Sequence, residues 1–243
     1  MLQMENVIVR FGVQTALDRF CYSFEPGHIY GLVGPNGCGK STLMKTAAGL
    51  LKSYSGNVSY CGEKVKTEQR SKIAYLPTHP VYYRYMSVDD MGAFYEDFFP
   101  DFSRDEYRNM TAFFGLNPKQ KLSGMSTGMV AKVRVAATLS RNAGVILLDE
   151  PLNGIDMLGQ DQIRQIIQSI DLAGKTIIIS SHLLDQLEAV CDHVVMMNAG
   201  RVIFHGNMAQ LRAQYNMTVS ELYRNIYAQY FQAMAMGGGM MQW

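Results

Sequence analysis

A nine-residue run, Gly34-Pro-Asn-Gly-Cys-Gly-Lys-Ser-Thr42, constrains the fold of this chain more than any other feature. It matches the pattern G-x-x-x-x-G-K followed by Ser or Thr. The apolar residues 28–33 before it predict a short buried strand, and residues 40–50 after it predict a helix. The glycines let consecutive backbone N–H groups turn inward, because no Cβ blocks the turn. The sequence therefore predicts an anion-binding loop at a helix N-terminus.

A loop of this kind has the chemistry to hold the phosphates of a nucleotide such as ATP. Lys40 can reach the β- and γ-phosphates, and the hydroxyl of Ser41 can bind Mg²⁺. The alternative is a glycine-rich turn that matches by chance, and the flanking strand and helix argue against it. The residues predicted to bind the nucleotide here are Gly34, Pro35, Asn36, Gly37, Cys38, Gly39, Lys40, Ser41 and Thr42.

The order of the predicted elements indicates an α/β fold of the P-loop NTPase type with a mostly parallel core sheet. The first sixty residues read as short strands and predict an N-terminal antiparallel β region. Three helices, two of them starting near Ser87 and Ser103 and the third spanning Ser126–Arg141, predict a helical insert. Strands and helices then alternate from Val145 to Val190, as in a parallel sheet covered by helices.

Composition excludes several classes of function. A formal net charge of +1 without a Lys/Arg cluster argues against nucleic acid as a partner. No apolar run reaches the length that crosses a bilayer, and the N-terminal residues do not form a signal peptide. The four cysteines are scattered without metal spacing, which favours reduced thiols in a cytosolic protein.

Two carboxylates follow the apolar segment Val145–Leu148, at what would be the carboxyl end of a buried strand. Asp149 could hold Mg²⁺, and Glu150 could act as a general base on a water molecule. The alternative is a strand that ends in two solvated acids. His182 follows the next predicted strand, where it could touch the γ-phosphate. A lone histidine is more often a structural residue, so both interpretations of His182 stay open.

These motifs together resemble the nucleotide-binding subunit of an ATP-binding cassette (ABC) transporter over about residues 1–206. Residues 34–42 resemble the Walker A motif and Val145–Glu150 the Walker B motif. Asn153–Asp156 resembles the D-loop, and His182 the switch histidine. Phe11 matches the aromatic residue that stacks on adenine. The resemblance implies an ATPase with Lys40, Glu150 and His182 as catalytic residues, and Phe11 and Asp156 as further nucleotide contacts.

Two motifs depart from the family's pattern. Met125-Ser-Thr-Gly-Met129 stands where the family has L-S-G-G-Q, and it keeps Ser126 and Gly128, which would contact a γ-phosphate. The nearby Leu122-Ser-Gly-Met125 is an alternative frame, but it shifts the following helix by three residues. Thr78 stands where the family has the Q-loop glutamine, so a Mg²⁺ contact through Thr78 would need a water, or His79 would substitute for it.

The resemblance also implies partners and a location. Two such subunits stack head to tail in the family, so the partner is a second nucleotide-binding subunit, identical or paralogous. Without a membrane span of its own, the chain should dock on a separate membrane permease at the cytoplasmic face of the cell membrane. The compact insert and the signature look most like exporters of antibiotics or peptides. Alternatives are a soluble ABC ATPase outside transport, and a nucleotide-sensing module with weak turnover.

The predicted organisation has three parts: an α/β core of residues 1–78 and 142–215, a helical signature subdomain of residues 79–141, and a C-terminal helix with a flexible tail over residues 216–243. Three tyrosines, Tyr82, Tyr83 and Tyr85, follow the Q-loop position, where the family's groove receives a helix of the permease. Three tyrosines in four residues cannot all face one core, so we expect at least one to be exposed.

Overall fold

A six-stranded sheet forms the centre of the computed structural model, which describes residues 1–79, 82–182 and 184–235. In spatial order its strands are β10 (Arg201–Asn207), β9 (His193–Asn198), β3 (His28–Val33), β8 (Thr176–Ser180), β7 (Val145–Asp149) and β6 (Ile73–Leu76). Strand β10 is antiparallel to β9, and every other neighbouring pair is parallel. The four central strands are almost fully buried, because helices or the second sheet cover both faces. The predicted α/β fold with a mostly parallel core sheet is confirmed.

The second sheet is antiparallel and contains the N-terminal strands, as predicted. Its order is β2-β1-β4-β5, and its strands are β1 (Leu2–Phe11), β2 (Gln14–Phe24), β4 (Ser55–Tyr60) and β5 (Glu63–Lys64). The first two strands are ten and eleven residues long, so the expectation of short strands was wrong there. Bulges along β1 interrupt its pairing with β2, and they break the strict alternation that marks a long strand.

Helices fill the segments between the strands of the parallel sheet. Ser87, Ser103 and Ser126 each cap a helix by accepting a backbone N–H at the N3 position, and helices starting near the first two were predicted. The first helix ends at Ala47, earlier than predicted, because Gly49 adopts a φ of 68°. The helices are α1 (Lys40–Ala47), α2 (Thr67–Ser71), α3 (Val88–Phe98), α4 (Arg104–Phe113), α5 (Thr127–Leu139), α6 (Met157–Ser169), α7 (Leu184–Glu188), α8 (Met208–Tyr215) and α9 (Val219–Ala235).

Two hydrophobic clusters lie on the two faces of the six-stranded sheet. One fills the space between the two sheets, and the other lies under the helices. The second cluster joins residues of α3, α4 and α5 to residues of β7 and β8, so the insert and the parallel sheet share a core. The proposed division into three parts stays a prediction. Leu183 and the tail from Met236 onward, both in predicted segments, lie outside the described residues. No helix of the described part is long and apolar enough to span a membrane.

Candidate active site

Three neighbouring parallel strands end at the same edge of the sheet and bring the predicted motifs together. Strand β3 leads into the glycine-rich loop, β8 leads to His182, and β7 ends at Asp149. Ser180 lies opposite both Leu32 of β3 and Asp149 of β7 in the register. Because the strands are parallel, their carboxyl ends form one edge, which is where open α/β sheets bind ligands.

The conformation of the loop depends on its glycines. Gly37 and Gly39 have φ angles of 80° and 110°, in the left-handed region that glycine adopts without strain. A Cβ on Gly34 would lie 2.4 Å from the carbonyl oxygen of Met197 and 2.5 Å from the sulfur of Cys38. Strand β9 and the loop therefore approach each other too closely at Gly34 for any side chain.

The buried side chain of Lys40 points into this loop. Its Nζ donates hydrogen bonds to the carbonyl oxygens of Gly34, at 2.6 Å, and Pro35, at 3.3 Å. Lys40 begins α1, so the ammonium group and the helix N-terminus place positive potential at one point. This donor set suits the phosphates of a nucleotide, whose oxygens can accept from the same ammonium.

The carboxylate of Asp149 is buried and held by two hydroxyl groups. The hydroxyl of Ser180 donates to its Oδ1 at 2.7 Å, and that of Tyr75 lies 3.4 Å from its Oδ2. Burial, followed by the charge of Asp149, raises the pKa of Tyr75, so this hydroxyl remains a hydrogen-bond donor. With the hydroxyl of Ser41, the fixed carboxylate offers the oxygen ligands that Mg²⁺ prefers.

The next residue, Glu150, has a backbone φ of 53°, which is uncommon for a residue other than glycine. Its N–H donates to the carbonyl oxygen of Ser180, at 3.2 Å, and to the Ser180 hydroxyl, at 3.0 Å. The Nδ1 atom of His182 lies 2.8 Å from Oε2 of Glu150. A strained backbone of this kind is typical of functional sites, and here it turns the Glu150 side chain toward His182.

An open cavity of about 450 Å³ lies between Lys40, Glu150 and His182, whereas the buried Asp149 is not at its wall. Its wall combines sequence motifs that are far apart in the chain, namely the glycine-rich loop, Thr78, Glu150 and His182. The half-exposed Phe11 at the end of β1 also lines it. The predicted site residues at its wall are Phe11, Asn36, Gly37, Gly39, Lys40, Ser41, Thr42, Thr78, Glu150 and His182.

Other predicted residues lie outside the cavity wall. Gly34, Pro35 and Cys38 support the loop from behind, and burial raises the pKa of the Cys38 thiol against the opposing effect of Lys40. Ser126 and Gly128 lie at the N-terminus of α5, where Ser126 is exposed and Gly128 is half-buried. Asp156 is the exposed N-cap of α6, where its Oδ1 accepts the N–H of Gly159. Their roles in binding the nucleotide stay predictions.

The structure adds residues that the sequence alone did not single out. Gln14, Ala16 and Asn153 also line the cavity. Gln14 begins the strand after the Phe11 turn, and Asn153 belongs to the D-loop-like segment, so both were close to recognised motifs. Ser180 could be found only from the register that places it opposite Asp149.

The fold and the glycine-rich loop define a P-loop nucleotide-binding domain. Comparison with known proteins identifies its family. Residues 17–153 match the model of the ABC transporter family. An uncharacterized ABC transporter ATP-binding protein of Synechocystis is 30% identical over 81% of this chain, which spans 58% of that protein. The lantibiotic transport ATP-binding protein SrtF of Streptococcus pyogenes is 30% identical over 84% of this chain and 89% of its own length.

The architecture also matches a solved structure. The ATP-binding subunit of an ABC transporter superposes with a TM-score of 0.82 at 25% identity, over 93% of this chain and 99% of that one. The chain belongs to the ABC transporter family of ATP-binding ATPase domains.

Proposed function

We propose that this chain is the ATP-hydrolysing subunit of an exporter and that it acts on a separate membrane permease. The observation that most supports ATP hydrolysis is that Lys40, Glu150 and His182 lie at the wall of one cavity. Lys40 would bind the β- and γ-phosphates, Glu150 would take a proton from the attacking water, and His182 would hold the carboxylate and contact the γ-phosphate.

Mg²⁺ would be held by Ser41 and Asp149, and it would neutralise charge on the phosphate oxygens. Thr78 lies at the wall of the cavity, within the family's Q-loop position. Its short hydroxyl would reach the metal through a water molecule. Ser41 and Thr78 also line a second, larger cavity, so Thr78 connects the two in place of a glutamine.

The proposed active unit is a head-to-tail dimer. Ser126 and Gly128 are outside the cavity of their own chain, at a helix N-terminus, which is a favourable site for phosphate, and Ser126 is exposed there. A second nucleotide-binding subunit would present these residues to the γ-phosphate. Gly128 lies against the backbone of Gly154, so the signature and the D-loop-like segment would enter the interface together.

The second cavity is the proposed docking groove for the permease. It measures about 910 Å³ and is lined mainly by apolar and aromatic side chains between the core sheet and the insert. The prediction that at least one of the three tyrosines is exposed is confirmed, since Tyr83 and Tyr85 are 53% and 68% exposed. Tyr82 instead packs against the core. Exposed aromatic side chains at this density are typical of an interface that a partner covers.

One arginine connects this groove to the signature helix. Arg134 of α5 lines the groove, and its guanidinium donates a hydrogen bond to the carbonyl oxygen of Pro77, next to Thr78. Burial lowers the pKa of Arg134 from its ordinary value, but the guanidinium stays charged. A permease segment in the groove would thereby act on both the Q-loop position and α5.

The likeness to the lantibiotic transport ATP-binding protein supports a peptide or antibiotic as cargo and a location at the cytoplasmic face of the membrane. A soluble ABC ATPase outside transport is the alternative, and it would leave the aromatic groove uncovered. A nucleotide-sensing module with weak turnover is a further one, and the paired Glu150 and His182 argue against it.

Pull-down of the tagged chain from detergent-solubilised membranes tests the proposal. We expect the wild type to retain a multispanning membrane protein in stoichiometric amount and a Tyr82/Tyr83/Tyr85 triple alanine variant to lose it while still binding ATP. Loss of one interface anchor commonly costs about 2 kcal/mol or more of binding. Tyr215→Ala, which removes an exposed tyrosine at the end of α8, is the control. If the triple variant elutes with wild-type stoichiometry, the docking surface lies elsewhere.

A further inference from the structure

A second group of potential metal ligands lies at the amino-terminal ends of the parallel strands, opposite the end that holds the glycine-rich loop. Among the described residues, His28, Asp192 and His193 form one group of three whose ligand atoms all lie within 4.8 Å of one another. His28 is the first residue of β3, and His193 is the first residue of β9, with Asp192 directly before it. The cluster has no part in the phosphate cavity.

Both imidazoles face the same carboxylate. The Nδ1 atom of His28 lies 2.9 Å from Oδ2 of Asp192, and the Nδ1 atom of His193 lies 2.9 Å from Oδ1. The two ring centroids are 4.5 Å apart. Ligand atoms bound to a tetrahedral Zn²⁺ at about 2.1 Å are roughly 3.4 Å apart. Small side-chain rotations would therefore bring all three groups to one metal ion.

The backbone around the carboxylate is fixed. Strands β3 and β9 are parallel neighbours, with Tyr30 opposite His193. The N–H of Ile29 donates to Oδ1 of Asp192 at 3.0 Å, and the N–H of Asp192 donates to the carbonyl oxygen of Ile29 at 3.0 Å. Hydrogen bonds of this kind orient a metal ligand and reduce the entropy that binding would cost.

We propose that His28, Asp192 and His193 form a binding site for a divalent transition-metal ion such as Zn²⁺. Two imidazole nitrogens and one carboxylate oxygen are a ligand set for Zn²⁺, Ni²⁺ or Fe²⁺ and not for Mg²⁺, which prefers oxygen ligands. The side chains are 40%, 41% and 21% exposed in chain order. That exposure gives the ion a path from solvent and leaves positions for water ligands.

The site would join two strands at the end far from the nucleotide. Strand β3 has six residues, and His28 at its start is roughly 20 Å from the glycine-rich loop that follows its last residue. Metal binding at His28 would therefore clamp β3 to β9 without touching the phosphates. The bound ion would stabilise the folded chain, since ligands that bind only the folded state shift unfolding to higher temperature.

Competition between the metal-free full-length chain and a chromophoric zinc chelator tests the proposal. The buffer contains millimolar Mg²⁺, which occupies the proposed Mg²⁺ site at Ser41 and Asp149 so that Zn²⁺ does not bind there. We expect the wild type to bind one more Zn²⁺ per chain than a His28→Ala/His193→Ala variant. A single His193→Ala variant should bind this ion at least about tenfold more weakly, since three ligands become two. Zn²⁺ should also raise the melting temperature of the wild type and not of the double variant.

His205→Ala is the matched control, because it removes a neighbouring exposed imidazole on β10 outside the group. The exposed thiols of Cys21 and Cys61 are present in every variant, so they cancel in the comparison. Equal zinc binding by the wild type and the double variant would overturn the proposal. An equal loss in His205→Ala would also overturn it, because the ion would then lie elsewhere. If the double variant does not fold, the single variant decides alone.

Discussion

The Nδ1 atom of His182 lies 2.8 Å from a carboxylate oxygen of Glu150, although 32 positions separate the two residues in the chain. The glutamate follows β7 and the histidine follows β8, and the parallel pairing of these strands brings their carboxyl ends together. The contact holds the Glu150 side chain, which is 13% exposed, at the wall of the cavity that Lys40 and His182 also line. A general base needs this kind of orientation before it can accept a proton from a positioned water.

We predict that His182→Ala slows ATP hydrolysis by about 10²-fold or more while ATP binding changes little. The substitution frees the Glu150 carboxylate and leaves the cradle of backbone N–H groups unchanged. Phosphate release and equilibrium ATP binding should both be measured, with His205→Ala as the control. Turnover within twofold of the wild type would contradict a catalytic role for His182.

We predict that Lys40→Ala lowers ATP affinity at least tenfold, because the charge of the β- and γ-phosphates loses its buried partner. The exposed Lys45 on the same helix provides the control, and Lys45→Ala should bind ATP normally. Titration with a fluorescent ATP analogue measures both. Equal affinity and equal turnover in the Lys40 variant would refute its phosphate role.

We predict that Ser126 acts across the dimer. A Ser126→Arg chain and a Lys40→Ala chain should each be inactive alone, and their mixed dimers should recover one intact site. Mixing differently tagged chains and isolating the heterodimer allows turnover per site to be measured. If verified heterodimers stay inactive, either the sites are strictly coupled or the shared-site geometry is wrong.

The C-terminal helix supports the glycine-rich loop from behind. The hydroxyl of Tyr227 on α9 donates to the carbonyl oxygen of Met197, the same atom that excludes a side chain at Gly34. We predict that Tyr227→Phe lowers the free energy of unfolding by about 1 kcal/mol and raises KM for ATP more than it changes kcat. Tyr215→Phe serves as the control. An unchanged KM would mean that α9 only stabilises the fold.

The part of the fold that the sequence predicted is the part with strong local signals. The strand, glycine loop and helix at residues 28–47 follow from apolar and glycine spacing, and the caps at Ser87 and Ser103 follow from side-chain chemistry. The short α2 and α8 were missed. Residues 67–71 and 208–215 show little helical periodicity, so tertiary packing rather than pattern decides their structure.

The candidate site was predictable where a motif marks it and not where strand register builds it. Lys40, Asp149 and Glu150 were recognised from short runs of residues. The contacts from Ser180 and Tyr75 to Asp149 depend on which strands are neighbours, and a single sequence does not specify this. The same limit applies to the cluster of His28, Asp192 and His193, in which His28 is more than 160 positions from the other two.

Steady-state phosphate release by Glu150→Gln tests the central claim most directly, which is that Glu150 is the base of an ATP-hydrolysing site. The substitution keeps the shape of the side chain and removes its ability to accept a proton. We predict normal ATP binding, turnover lower by roughly 10²–10⁴-fold and accumulation of the ATP-bound dimer. The substitution Glu106→Gln changes an exposed side chain on α4 and should behave as the wild type. Near-normal phosphate release by Glu150→Gln would contradict the account.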